Sequence, residues 1–333
     1  MFRAQAVGWL PDGRSLLVSH LDSDTSTGQI SLVDYPSGEI SRVTHDVSDY
    51  DVCCLAVSRD GDALVALNNS HSSDVWVAAP DGSNPRQITS GTPLGSDLQW
   101  SGGRLLAGDD RSLYVSMNAD GSDQRVFNND YDEHMNRRRC PDGHLLFTTW
   151  SSGAVALWRS DADGSNPAQI ASSSGTTVIC TPDSKFALFT KDDVMWRVPL
   201  QGGVPEKTDL PPQGGVFSRD GKLFQTVHIF YGAKPDTWVI TAATGGAPLY
   251  EVPMPYGAGA AEFALDGQAL NVVLNRNHAG NIWRLPLNGG PPSQITKFTS
   301  GDIFSFALSP DGKHLALSRG QSKTDVVMMS GLR

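Results

Sequence analysis

The amino-acid sequence predicts an all-β chain of stacked four-stranded units, a β-propeller, and three observations carry that expectation. A tight-turn signature centred on Asp-Gly recurs eight times, its copies are spaced by about one propeller blade, and the tryptophans gather at one position of the repeat. The composition agrees. Gly (34) and Pro (20) are too many among 333 residues for a helical bundle, because both break helices. A hydrophobic share of 39% with a net charge of −10 supports a core and argues against disorder.

The turn copies are Pro11-Asp12-Gly13, Arg59-Asp60-Gly61, Ser101-Gly102-Gly103, Pro141-Asp142-Gly143, Pro182-Asp183-Ser184, Arg219-Asp220-Gly221, Leu265-Asp266-Gly267 and Pro310-Asp311-Gly312. Asp and Gly tolerate positive φ, so this pair between apolar runs signals a hairpin. The spacings are 48, 42, 40, 41, 37, 46 and 45 residues. A strand-like run follows the turn, as in Leu16-Leu17-Val18 and Leu145-Leu146-Phe147. A third run carries an aromatic at matching places: Trp76, Tyr114, Trp158, Trp196, Trp238 and Trp283. A second Gly turn and a short fourth run, such as Gln87-Ile88-Thr89, complete most units. Trp9 and Trp100 stand just before the first turn. Large rings at repeated positions suit the wedge between packed sheets.

Four strands per unit, repeated radially, close a ring with only short protected edges. The expectation is one domain of about eight blades (seven is the alternative), at residues 1–46, 47–90, 91–130, 131–173, 174–210, 211–255, 256–299 and 300–333. The last unit ends without a fourth strand, and Met1 to Ala4 barely supplies one. Either the final blade is short, or the chain is a fragment lacking an upstream portion. The first alternative predicts a cytoplasmic location, the second an extracytoplasmic one.

Acidic residues (36) outnumber Lys and Arg (26), and one short Arg run is no basic stripe, so no nucleic-acid partner is expected. No apolar run reaches the length of a membrane span, and no signal peptide precedes Pro11. Cys53, Cys54, Cys140 and Cys180 show no metal spacing and read as small buried side chains. GxSxG, the kinase Gly-rich loop, His-Arg-Asp and Asp-Phe-Gly are all missing, so no enzyme activity and no cofactor is assigned.

The unit running from Trp9 through Pro11-Asp12-Gly13 and Leu16-Leu17-Val18 to Gly28-Gln29-Ile30 and Gly38-Glu39-Ile40 resembles the WD-like propeller repeat of TolB. It resembles still more closely the C-terminal propellers of bacterial membrane serine/threonine kinases, as do Thr44 to Tyr50 and Leu315 to Gly320. The resemblance covers essentially the whole chain. It implies a non-catalytic sensory or interaction module, the C-terminal part of a signalling protein. The alternatives are a TolB-like envelope interaction protein, and a propeller enzyme or the gating domain of a hydrolase or lyase. A fold of this kind does not decide among them.

One repeat departs from the pattern. The position three residues before the turn Asp is apolar or small at Trp9, Val57, Cys180, Phe217, Phe263 and Leu308, but the fourth unit has Arg139, after Arg137 and Arg138. Guanidinium groups bind carboxylate or phosphate in a planar fork, so this run beside the central channel is a candidate site for a protein or a small anionic ligand. The competing reading pairs the run with nearby acids: Asp130, Asp132, Glu133, Asp97 and Glu262. Tyr131, His134 and Glu262 complete the candidate contacts at the channel mouth. Asn118 to Asp123 and Asp161 to Asn166 resemble the opening of a calcium loop but lack its final Glu, and read as turns.

Overall fold

The computed structural model describes residues 4–331 apart from 23–26, 47, 92–94, 96, 102, 109–112, 129–133, 152–153, 162–163, 174–176 and 231–233. Among the described residues every regular element is a β-strand, and no helix is long and apolar enough to cross a membrane. In chain order, β1 (Ala4–Trp9), β2 (Ser15–Leu21), β3 (Gly28–Asp34) and β4 (Ile40–Arg42) form a four-stranded antiparallel sheet. Then come β5 (Asp49–Val57), β6 (Ala63–Ala78) and β7 (Arg86–Gln87).

Five further four-stranded antiparallel sheets follow. They are β8 (Asp97–Ser101), β9 (Arg104–Gly108), β10 (Leu113–Met117) and β11 (Arg125–Asn128); β12 (His134–Arg139), β13 (Leu145–Ser151), β14 (Ala154–Ser160) and β15 (Ala168–Ser173); β16 (Val178–Cys180), β17 (Phe186–Lys191), β18 (Val194–Pro199) and β19 (Glu206–Lys207); β20 (Val216–Phe217), β21 (Leu223–His228), β22 (Thr237–Ala242) and β23 (Tyr250–Pro253); and β24 (Ala258–Phe263), β25 (Ala269–Arg276), β26 (Ala279–Pro286) and β27 (Ser293–Gln294). Finally β28 (Asp302–Leu308) and β29 (Leu315–Ser330) join β6 and β5 in one sheet, ordered β28-β29-β6-β5, with β7 on β6.

The repeated turn has one chemistry. The N–H of its third residue donates to the carbonyl three residues earlier: Gly13 to Leu10, Gly61 to Ser58, Gly143 to Cys140, Gly221 to Ser218, Gly267 to Ala264 and Gly312 to Ser309. The turn Asp carboxylate accepts the N–H two residues on, as Asp12 does from Arg14, Asp220 from Lys222 and Asp311 from Lys313. Local bonds of this kind reverse the chain between the first and second strands of a sheet. The third turn residue needs positive φ, 65° at Gly13 and 54° at Ser184, the copy without Gly.

Residues 73–320 form one compact unit, and residues 1–72 with 321–333 form another. In the larger unit, β8–β11 pack on β6, β28 and β29 through Leu105, Val115, Met117, Val75 and Ala316. The sheet β12–β15 packs on β16–β19 around Leu146, Leu157, Phe189 and Val198. The sheets β16–β19 and β20–β23 meet at Leu188, Met195, Leu210 and Phe224. Those of β20–β23 and β24–β27 meet at Trp238, Ile240, Leu270 and Val272. The last returns to β28, β29 and β6 through Val273, Ile282, Ile303 and Phe306. Between β8–β11 and β12–β15 the Gln99 amide donates to the Arg139 carbonyl, and Ser101 Oγ to the Cys140 carbonyl at 3.4 Å. In the smaller unit, Leu17 and Ile30 pack on Tyr50, Leu64 and Ala66.

The repeated aromatics mostly occupy these seams. Trp238 is 2% exposed, and Trp76, Trp100, Trp196 and Trp283 pack on the clusters with part of their surface open. Trp9 differs: it is 55% exposed and meets Tyr35 edge-on.

Two further expectations change. The intervals 47–90 and 300–333 do not build separate sheets, because β6 and β29 each run 16 residues and share one sheet. In two other sheets the second and third strands are reversed by positive-φ residues, Asp192-Asp193 and Asn277-His278. The corresponding stretch Asn68 to Ser73 holds neither Gly nor Pro, and the strand runs straight through it. The second change concerns Cys140 and Cys180, read as independent small side chains. They form a disulfide between β12–β15 and β16–β19, with Cα atoms 5.4 Å apart.

Candidate functional site

The first strands of all six sheets of the larger unit line one cavity of about 400 Å³. Its wall takes Leu98, Gln99 and Trp100 from β8, Arg138 and Arg139 from β12, Ile179 and Cys180 from β16, Val216 and Phe217 from β20, Glu262 and Phe263 from β24, and Ala307 and Leu308 from β28. A first strand must be short and pleated so that alternate side chains point to the cavity and to the adjoining sheet. The residue types follow the repeat. Cys180, Phe217, Phe263 and Leu308 end their strands as apolar or small groups, whereas Arg139 ends β12 as a cation. Arg219, from the turn after β20, adds a third cation to the wall.

Each charged group is held differently. Arg138 is half exposed, and its Nη1 lies 3.8 Å from Oδ1 of Asp97, a loose ion pair that leaves most of the guanidinium open. Arg138 also borders a second cavity of about 620 Å³, lined by Gln213 to Val216 and by Gln225 to Phe230. Arg139 is partly buried, donates from Nη1 to the Gly143 carbonyl at 3.1 Å, and has its pKa lowered by that burial. Arg219 is exposed and donates to the Pro310 carbonyl at 3.0 Å. Glu262 is partly buried. Burial raises its carboxyl to about 7; the bond from the Leu308 N–H and the charges of Arg219 and Arg138 oppose the rise, while Asp97 adds to it. A neutral acid thus stands beside cations whose charge it does not cancel below neutral pH.

Of the residues singled out from sequence, Arg138, Arg139 and Glu262 share this cavity. His134 and Arg137 belong to β12, but their side chains lie outside the described residues, and Tyr131 lies outside them altogether, as do Asp130, Asp132 and Glu133. The reasoning from sequence missed Arg219 and Gln99. Arg219 is the leading residue of a turn triplet, where Arg59 stands in another copy, so the repeat carried no signal. The calcium-like segments are committed elsewhere: Asp123 binds Arg104 and Arg125 at 2.8 and 3.0 Å, and Asp161 accepts from the Asn166 amide at 2.7 Å. Among the described residues no cluster of His, Cys, Asp and Glu suits a metal ion.

Comparison with solved structures identifies the architecture. A structure described as TolB from Agrobacterium tumefaciens aligns with a TM-score of 0.52 at 15% identity, covering 75% of this chain and 98% of that one. TolB from Acinetobacter baumannii aligns with a TM-score of 0.51 at 14% identity, covering 98% and 81%. The fold is that of a TolB-like β-propeller. No family model matches the sequence, and no curated protein matches it. A protein described as a 6-phosphogluconolactonase from Bacteroides fragilis aligns less well, with a TM-score of 0.39 at 15% identity, covering 85% of this chain and 93% of that one. Identities this low show the TolB-like fold alone.

Proposed function

We propose that this TolB-like propeller is a non-catalytic interaction module whose cavity mouth binds a carboxylate-bearing segment of a protein partner. The observation that supports this most is the pair of open guanidinium groups, Arg138 and Arg219, on the rim of a cavity lined by six first strands. A planar fork suits a carboxylate, and Glu262, protonated below about pH 7, does not compete for it there. In this reading the six sheets of residues 73–320 close around that cavity, since each packs on two others, and the eight sequence repeats divide into six and two. The reading needs no attached kinase domain.

Calorimetry with an Asp/Glu-rich hexapeptide is the test. Arg138→Ala and Arg219→Ala are each expected to weaken binding about tenfold or more, the scale of one lost charge-assisted bond. Absence of binding, or equal binding by both variants, removes the proposal. A propeller enzyme is the second reading, favoured by a carboxyl with a pKa of about 7 beside two cations. It requires turnover of a hydrolase or lyase substrate that disappears in Glu262→Gln.

A further inference from the structure

The sheet β28-β29-β6-β5 lacks, along one part of its length, what the others have. The third strands β3, β10, β14, β18, β22 and β26 are each covered by a fourth strand, whereas β29 beyond Gly320 pairs only with β6 among the described residues. Its register on β6 follows from three bonds: Ser70 Oγ donates to the Lys323 carbonyl at 3.4 Å, Thr324 Oγ1 to Asn69 Oδ1 at 2.8 Å, and the Gly331 N–H to the Asp62 carbonyl at 3.0 Å. The pair is therefore antiparallel, with Met328 opposite Val65 and Val326 opposite Leu67. The main-chain groups of Lys323 and Gly331 face β6, so by alternation those of Ser322, Thr324, Val326, Met328 and Ser330 face away from it. Val326 and Met328 are each 72% exposed, and Val65 is 37% exposed on the same face. A long edge with apolar residues at alternate positions and no Pro is what natural sheets normally protect.

We propose that the 321–330 edge of β29 pairs antiparallel with the same edge of a second copy, about a two-fold axis through Val327. The residues on the edge argue for this occupant. That axis sets Val326 opposite Met328 of the other copy and Thr324 opposite Ser330, and all four present outward N–H and C=O groups, so each pair exchanges both main-chain bonds. Val327 meets its own counterpart as a non-hydrogen-bonded pair. The edge carries one cation and one anion, Lys323 and Asp325, already paired at 2.7 Å. In this register they stand opposite Gly331 and Met329, so no like charges face each other despite the acidic chain. The same surface meets itself, as a closed two-fold dimer requires. Edge-to-edge pairing buries less than a standard interface, and a weak dimer of about micromolar affinity is expected.

Sedimentation velocity of the full chain over roughly 1–100 μM is expected to show a reversible monomer–dimer equilibrium. Val326→Pro removes an outward N–H and leaves the ladder to β6 intact, so it is expected to give a folded monomer, with unchanged circular dichroism. Val327→Cys places two thiols on the axis, with Cα atoms about 4.5 Å apart, within reach of a disulfide. Mild oxidation is expected to yield far more covalent dimer from it than from Lys323→Cys. If Val326→Pro does not fold, the two cysteine variants decide. A wild-type chain that stays monomeric overturns the proposal and leaves the edge to an extended segment of another protein. A dimer that persists in a folded Val326→Pro, or equal cross-linking of the two cysteine variants, overturns it as well.

Discussion

Truncation of Trp238 to alanine is expected to destabilise the protein by about 3–5 kcal/mol, the range for emptying a fully buried aromatic site. Trp238 is 2% exposed and lies in the seam between β20–β23 and β24–β27, packed among Ile240, Val252, Leu270, Val272 and Leu274. These neighbours come from strands of two sheets whose main chains are fixed by hydrogen-bonded ladders, so they cannot collapse into the space the indole leaves. Urea denaturation measures the loss as a lowered midpoint at unchanged slope. Trp9→Ala is the contrast. Its ring is 55% exposed and touches Tyr35 edge-on, so a loss of about 1 kcal/mol or less is expected. Equal effects of the two substitutions would contradict the assignment of Trp238 to the seam.

The stability of the wild-type protein is expected to carry a pH dependence that Glu262→Gln abolishes. Burial raises the folded-state carboxyl from an ordinary 4.5 to about 7. Between those values the folded protein holds a proton that the unfolded chain has released. Stability therefore falls as pH rises through this window and levels off above about 7. Glu262 as a residue is only partly buried, which moderates the effect, and the loss is expected to be on the order of 2–3 kcal/mol. The amide keeps the shape of the protonated acid without its titration. At pH 8 the variant is expected to be the more stable protein, and near pH 4.5 the two should match. The turn aspartates, such as Asp183, Asp220 and Asp311, have carboxyls held below the usual 3.8, chiefly by bonds from neighbouring hydroxyls. Their contribution is lost only at lower pH and does not overlap. Parallel pH profiles for wild type and variant would sink the argument for an enclosed, protonated Glu262.

What was legible beforehand was what local chemistry decides. Asp12, Asp220 and Asp311 announce their turns because each carboxylate bonds its own main chain two residues on, a contact no distant part of the protein has to provide. Arg139 stood out because its repeat position is apolar or small in six of the other copies. Arg219 did not stand out, because the repeat tolerates Arg at the head of the turn and only the approach of β20 to β24 brings it near Glu262. Cys140 and Cys180, 40 residues apart in sequence, carried a faint signal in belonging to successive repeats. Their pairing depends on how closely two first strands pack.

Taken alone, the order of residues determined the strands, the turns and the repeating unit, since hairpin reversal and apolar alternation are settled within a few residues of chain. Tertiary structure decided which strands share a sheet. The stretch from Asn68 to Ser73 has no residue that forces a reversal, so β6 runs on and takes β29 as its neighbour, a choice governed by ladder bonds and packing between segments about 250 residues apart. It also decided the site, because the charge on Glu262 depends on water excluded by strands from distant repeats, a quantity that no single repeat encodes.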